Sequence, residues 1–256
     1  MSEVRSVANA LRVLASFKHL GDTTGVQEVS RFLNLAPSVT HRLMSTLLRH
    51  GFLEQDRETR KYRIGAKLLE VGRLYLRRHP VAQLAIQAVQ EALPECACFV
   101  GQLVEGEVLI LAAAEGIGPV SIGAWPGERR YVHCTALGKA LLALMPDEEV
   151  LRLLQQKGMP KVTPATITDP AHLLQALEFC RKHGFALNDE ESLLGVVSVG
   201  VAITDVFGRP LGATSVSAAK VLVAPEKIQE IGAKLLEAVG RIRIRMELLS
   251  EMVVAG

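Results

Sequence analysis

The chain has 256 residues, 49% of them hydrophobic, enough to bury the core of one large domain or of two ordinary ones. Its four cysteines, Cys96, Cys98, Cys134 and Cys180, are too few for a disulfide-stapled secreted fold, and the absence of any run of about 18 apolar residues excludes a membrane span. Residues 1–20 carry charges throughout and contain no secretory leader, so a cytoplasmic protein is expected. The net charge of +2 hides an asymmetry: residues 1–79 hold 14 Lys and Arg against 7 Asp and Glu, whereas residues 80–256 hold 15 against 20. A basic block followed by an acidic one suggests a polyanion-binding module joined to a module of another kind.

In chain order, apolar spacing predicts a first helix over residues 3–19, with Val7, Leu11, Leu14 and Ala15 on one face and Ala10, Val13 and Phe17 widening it. So broad a stripe suggests a partner chain as well as a core. Gly21 and Asp22 end the helix, Thr24 is the expected N-cap of a short second helix over 25–33, and residues 34–36 form a turn. A third helix over 37–50 starts on Pro37, stops at Gly51, and turns Thr40, Leu43, Met44 and Leu47 inward. Two short strands, 52–55 and 61–64, bridged by the polar segment 56–60, complete the order of a winged helix-turn-helix. A further helix over 66–78 is closed by Pro80, where the composition turns acidic.

Beyond that point the pattern predicts a helix at 81–93, a hairpin of strands 96–104 and 108–114, and a strand near 120–124. Helices at 137–145, 147–157 and 170–183, strands at 185–187, 196–204 and 211–217, and a long helix over 225–251 follow. Adjacent strand pairs with helices in separate blocks give an α+β class with an antiparallel sheet. The expected division is a winged helix-turn-helix over residues 1–65, a linker helix over 66–79 and a second domain over 80–256.

The face of the third helix opposite its apolar stripe carries Ser38, Arg42, Ser45 and Arg49, with Val39 and His41 beside them. Arginine grips guanine bidentately, hydroxyls reach phosphate or base edges, and an apolar methyl meets the thymine methyl. The same face would also suit an ordinary solvated helix. Arg57, Arg60 and Lys61 in the wing add the clustered cations that phosphate binding needs, and tip the reading toward DNA.

In the second domain, CTALGKALLA at residues 134–143 places Thr135 as a helix N-cap ahead of a small-residue turn. Free amides at such a start suit a carboxylate, and equally suit a capped helix packed closely through Ala136 and Gly138. Ser215 and Ser217 share one strand face and Ser198 interrupts an apolar strand, which implies backbone pairing or a polar ligand. Asp189, Glu190 and Glu191 read as a solvated turn in preference to a catalytic pair. Two other chemistries are conceivable. Cys96, Cys98, His133 and Cys134 could be assembled as a zinc site, although their spacing is not that of structural zinc motifs, and core cysteines are the simpler reading. Catalysis finds little support: Gly195, Ser198 and Gly200 are misspaced for a nucleophile elbow, and Cys134 beside His133 lacks an orienting acid. No cofactor or metal is expected.

Taken in order, residues 35–47 (LAPSVTHRLMSTL), 51–65 ending in Tyr-Arg-Ile-Gly, 67–72 (KLLEVG), 134–143, 184–195 (GFALNDEESLLG) and 214–217 (TSVS) resemble the IclR family of bacterial regulators over nearly the whole chain. The resemblance implies a winged helix followed by a GAF-like effector-binding domain with an antiparallel sheet. It also implies assembly as a homodimer or homotetramer and binding to double-stranded promoter DNA, with no membrane partner. DNA reading would fall on residues 37–50. An effector, a small organic acid or aromatic, would be held by Ala136, Leu137, Asn188 or Asp189, Ser198, Ser215 and Ser217. Ser198 stands where the family often has cysteine, and Val39 where threonine is frequent, which sets pocket and operator apart from better-known relatives. The alternative is a DNA-binding regulator whose second domain only oligomerises.

Overall fold

The computed structural model describes residues 3–118 and 122–254, with side chains described up to 246. The chain divides into two compact units, Met1–Arg78 and His79–Gly256.

The first unit runs α1 (Arg5–Leu20), α2 (Val26–Leu33), α3 (Pro37–Arg49), β1 (Leu53–Gln55), β2 (Tyr62–Ile64) and α4 (Lys67–Arg77). Its core is Val13, Phe17, Val29, Leu33, Met44, Leu53 and Tyr62. The stripe expected on α1 is split. Val13 and Phe17 face the core, while Val7, Leu11 and Ala15 are exposed, because a three-helix core this small covers only one narrow side of the helix. The expected N-cap of α2 is also corrected. Gly25 takes that place, since tertiary pairing engages the Thr24 backbone in two hydrogen bonds with Tyr62, and the Glu28 carboxylate accepts from the Gly25 N–H at 2.6 Å. Between α2 and α3, Asn34 adopts a left-handed conformation and the Ser30 hydroxyl donates to the Leu35 carbonyl at 2.6 Å, fixing the turn of the helix-turn-helix. β1 and β2 pair antiparallel with Leu53 opposite Ile64 and Gln55 opposite Tyr62. α4 buries no residue.

The second unit contains α5 (Val81–Ala92), β3 (Ala97–Val104), β4 (Glu107–Ala114), β5 (Arg129–Arg130), α6 (Ala136–Leu142), α7 (Asp147–Lys157) and α8 (Pro170–His183). It continues with β6 (Ala186–Asp189), β7 (Val196–Thr204), β8 (Pro210–Ala219), a 3-10 turn at Lys220–Leu222 and α9 (Pro225–Val254). All described strand pairs are antiparallel, in the order β5-β4-β3-β8-β7-β6. Side chains alternate across this sheet. Cys98, Val100, Val199, Val201 and Val216 pack against α5 and α9, and Ala97, Phe99, Val196 and Ala213 pack against α6, α7 and α8.

One expected strand is not found among the described residues. Of the segment 120–124, Val120 and Ser121 lie outside the described residues and 122–124 are not strand. The partner of β4 is instead Arg129–Arg130, with Val108 opposite Arg130 and Leu109 opposite Arg129. A two-residue strand has too short a pattern to leave a periodic signal. Among the described residues, no helix is long and apolar enough to cross a membrane.

Candidate functional site

In the first unit, packing of Thr40 and Met44 into the core turns the opposite side of α3 outward. Ser38, His41, Arg42 and Arg49 are exposed there, and Val39 and Ser45 are half-buried beside them. The wing is built by Asp56. Its Oδ1 accepts from the N–H groups of Glu58 at 3.1 Å and Thr59 at 2.7 Å and from the Thr59 hydroxyl at 2.8 Å. The Thr59 N–H and hydroxyl hold the Asp56 carboxyl below the usual carboxylate range. With the turn closed by this local ring and by Arg60 in a left-handed conformation, Arg57, Arg60 and Lys61 stand exposed. Among the described residues, none of Arg42, Arg49, Arg57, Arg60 and Lys61 forms an ion pair, whereas Arg63 is held by Glu54 at 3.0 Å. Uncommitted cations beside an exposed helix face can neutralise phosphate while the helix reaches base edges.

In the second unit, a cavity of about 310 Å³ lies between the sheet and the start of α6. That is the lower end of the usual range for small-molecule sites, roughly 300–1,000 Å³. Ala136, Leu137, Asn188, Ser198, Ser215 and Ser217 all line it. Alternation on β7 and β8 brings the three serines to one face. Ser198 lies directly opposite Ser217 in the ladder, their hydroxyls 2.7 Å apart. Among the described residues, the Ser215 hydroxyl makes no hydrogen bond, and it opens onto the cavity.

The helix start comes close because β7 has glycine at position 200: a Cβ there would sit 2.5 Å from the Ala136 carbonyl oxygen. The Thr135 hydroxyl accepts from the Gly138 N–H at 3.1 Å, a cap that does not engage the amides of Ala136 and Leu137, two residues that line the cavity. Asn188 donates to the Cys134 carbonyl at 2.6 Å and to the Ser192 hydroxyl at 2.9 Å, tying β6 to the same helix start.

Asp189 does not join this group. It is exposed and pairs with Lys220 at 2.7 Å, because its side chain points to the face of β6 opposite that of Asn188. The acidic triplet is likewise not one solvated turn. Asp189 and Glu190 share Lys220 outside, while Glu191 is buried against Lys139.

Sequence reading missed Phe99, Arg129, Arg130, Tyr131, Cys134 and Ser192 as lining residues. The arginine doublet in an otherwise acidic domain was the available signal. Both arginines are neutralised locally, Arg129 by Glu105 and Glu107 and Arg130 by Glu128. Cys96 and Cys98 pack on the α5 and α9 side of the sheet and Cys134 lines the cavity on the other, so the sheet separates the cysteines of the conceivable zinc group.

An outward-facing helix behind a helix-turn-helix turn, a charged wing, and a second unit enclosing a serine-lined cavity form one combination. It corresponds along the chain to two matched families: residues 6–57 match the IclR helix-turn-helix domain, and residues 74–244 match the C-terminal domain of bacterial transcriptional regulator IclR. The chain belongs to the IclR family of bacterial transcriptional regulators.

Among similar proteins, the transcriptional repressor IclR of Escherichia coli strain K12 is 27% identical over 94% of this chain and 90% of its own length. The HTH-type transcriptional regulator XynR of the same strain is 31% identical over 94% of this chain and 99% of its own. Among solved structures, an IclR homolog from Microbacterium hydrocarbonoxydans complexed with 4-hydroxybenzoate superposes with a TM-score of 0.82 at 27% identity, covering 95% of this chain and 99% of the other. Like these IclR-family relatives, the chain is a DNA-binding transcriptional regulator and not an enzyme.

Proposed function

We propose that this IclR-family protein is a cytoplasmic homodimer or homotetramer whose affinity for promoter DNA is set by a small organic acid or hydroxylated aromatic acid held in the cavity of its second domain. α3 would enter the major groove with Ser38, Val39, His41, Arg42, Ser45 and Arg49, while Arg57, Arg60 and Lys61 hold phosphates. Two such modules are needed because a single one offers too few contacts for a genomic site. Residues 1–65 would then form the DNA-binding domain, 66–79 the linker, and 80–256 the effector-binding and oligomerising domain.

The observation that carries the reading is the cavity where the helix-start residues Ala136 and Leu137 meet Ser198, Ser215 and Ser217. Amide and hydroxyl donors together hold a carboxylate without a buried counter-cation. The Microbacterium relative with 4-hydroxybenzoate supports this class of ligand. Exposed apolar side chains on α1 and α4, among them Val7, Leu11, Leu69 and Leu74, support a partner chain against the first unit.

To regulate, the ligand must bind one arrangement of the protein better than another, and a coupling of roughly 1–3 kcal/mol suffices. Calorimetry with a panel of carboxylic acids headed by 4-hydroxybenzoate, followed by gel shift on the protein's own promoter with and without the binder, tests the proposal. One acid should bind and should change operator affinity by roughly 5–150-fold. Operator binding that no acid alters would show instead that the second domain only oligomerises.

A further inference from the structure

Lys139 is the one charged side chain of α6, and it is buried to 2% exposure against a Glu191 side chain exposed by 7%. Its ammonium donates to a Glu191 carboxylate oxygen and also to the Leu187 carbonyl, at 2.6 Å for the latter. From Glu191 a second set of hydrogen bonds runs back to the segment that opens α6. The Glu191 N–H donates to Asn188 Oδ1 at 3.0 Å, and Asn188 Nδ2 donates to the Cys134 carbonyl at 2.6 Å. Two bridges therefore join the start of α6 to the end of β6 and the turn after it. Both partners of the joint supply cavity wall: Cys134, Ala136 and Leu137 on one side, Asn188, Ser192 and Leu193 on the other.

A buried ion pair is a poor device for stability, because desolvation of two charges offsets their attraction, and an apolar pair of similar volume commonly does as well. This pair is also incompletely satisfied. Among the described residues, Glu191 Oε2 is buried with no hydrogen-bond partner. A contact that adds little net stability, leaves an oxygen unpaired and sits behind two walls of one cavity is explained by geometry, since directional bonds fix a spacing that apolar contacts leave adjustable.

We infer that Lys139 and Glu191 are positioning residues of the cavity: their buried ion pair clamps the start of α6 to the β6 turn and so sets the distance between the two walls that would hold the ligand. The clamp bears on ligand binding through the proposed effector reading of this cavity. Its geometry is testable without any ligand.

Full-length wild type is compared with the double variant Lys139→Met with Glu191→Met, which replaces the clamp by apolar volume. A second double variant, Lys139→Arg with Glu191→Asp, keeps both charges and roughly conserves their summed length. In ligand-free protein the methionine pair should raise amide exchange about tenfold in peptides covering 134–139 and 187–193, with α5 and α9 at wild-type rates, and the Arg/Asp pair should restore protection. Unchanged exchange in both peptides would overturn the inference. So would loss of protection throughout the unit, α5 and α9 included, which marks a general contribution to stability.

4-Hydroxybenzoate, titrated by the fluorescence of the single tryptophan, Trp125, or by calorimetry, gives the second readout. Where wild type binds it, the methionine pair should bind roughly tenfold more weakly and the Arg/Asp pair close to wild type. Equal binding by wild type and the methionine pair would overturn the inference. Failure of wild type to bind the probe counts against that probe as effector, while the exchange data still decide the clamp.

Discussion

The hydroxyls of Ser198 and Ser217 lie 2.7 Å apart across the β7–β8 ladder, on the sheet face that lines the cavity. One hydroxyl donates to the other in a single hydrogen bond. Removing one leaves the other a buried hydroxyl without its partner, so Ser217→Ala should cost about 1–3 kcal/mol, and adding Ser198→Ala should recover part of that loss. Thermal melts of both single variants and the double variant measure the coupling. Additive losses would show that the pair contributes nothing beyond its two separate environments.

For binding, Ser215→Ala combined with Ser217→Ala removes the open hydroxyl and one member of the pair. The double variant should lose the acid that calorimetry identifies while retaining the wild-type circular dichroism spectrum. Binding as tight as wild type would place the ligand elsewhere in the second domain.

Arg42 lies on the exposed face of α3 and Lys61 at the base of the wing. Arg42→Ala should weaken operator binding by about 1–3 kcal/mol and relax sequence preference, whereas Lys61→Ala should weaken all sequences alike and lower the salt slope by about 1. Gel shifts at several salt concentrations, with operator and scrambled DNA, separate the two. A loss of the same size on both DNAs for Arg42→Ala would make Arg42 a phosphate contact.

Leu11 is 60% exposed on α1 and Leu69 75% exposed on α4. A charge placed on such a face should be tolerated by the fold and not by an interface. Leu11→Glu is accordingly expected to shift sedimentation from a dimer or tetramer toward a smaller species at micromolar concentration without lowering the melting temperature of the first unit. Wild type sedimenting at the mass of one chain would contradict the proposed assembly outright.

Burial pushes the thiols of Cys96 and Cys180 up to about 11 and those of Cys98 and Cys134 up to about 12. At pH 8 all four should stay neutral and react slowly with an aromatic disulfide reagent, becoming reactive together on denaturation. Each folded-state value is raised above the unfolded one, near 8.5, so the neutral thiols favour folding below that pH, and their contribution is lost as pH climbs toward 11–12. Stability measured by denaturant should therefore fall on the alkaline side. Rapid labelling of native protein would show that one of these sites opens.

Local signals in the sequence determined much of this protein. Pro37 and Gly51 bounded the third helix, and the period of Thr40 and Met44 told its buried side from the side carrying Arg42 and Arg49. Strand alternation put Ser215 and Ser217 on one face, and Thr135 was legible as a cap because capping reaches only three residues. These are properties of neighbours along the chain. What only the tertiary structure decided depends on residues far apart meeting. The burial of Glu191 rests on a lysine 52 positions away, a separation across which no local pattern links the two. Asp189 and Asn188 part company because one β-residue step reverses the side chain, and which side of β6 faced the cavity was not known before the sheet was assembled. Thr24 looked like a cap until β2 took its backbone, and α1 exposed Leu11 because the core it serves is too small to cover the whole stripe. Periodicity fixes which residues share a face, and only packing settles what each face meets.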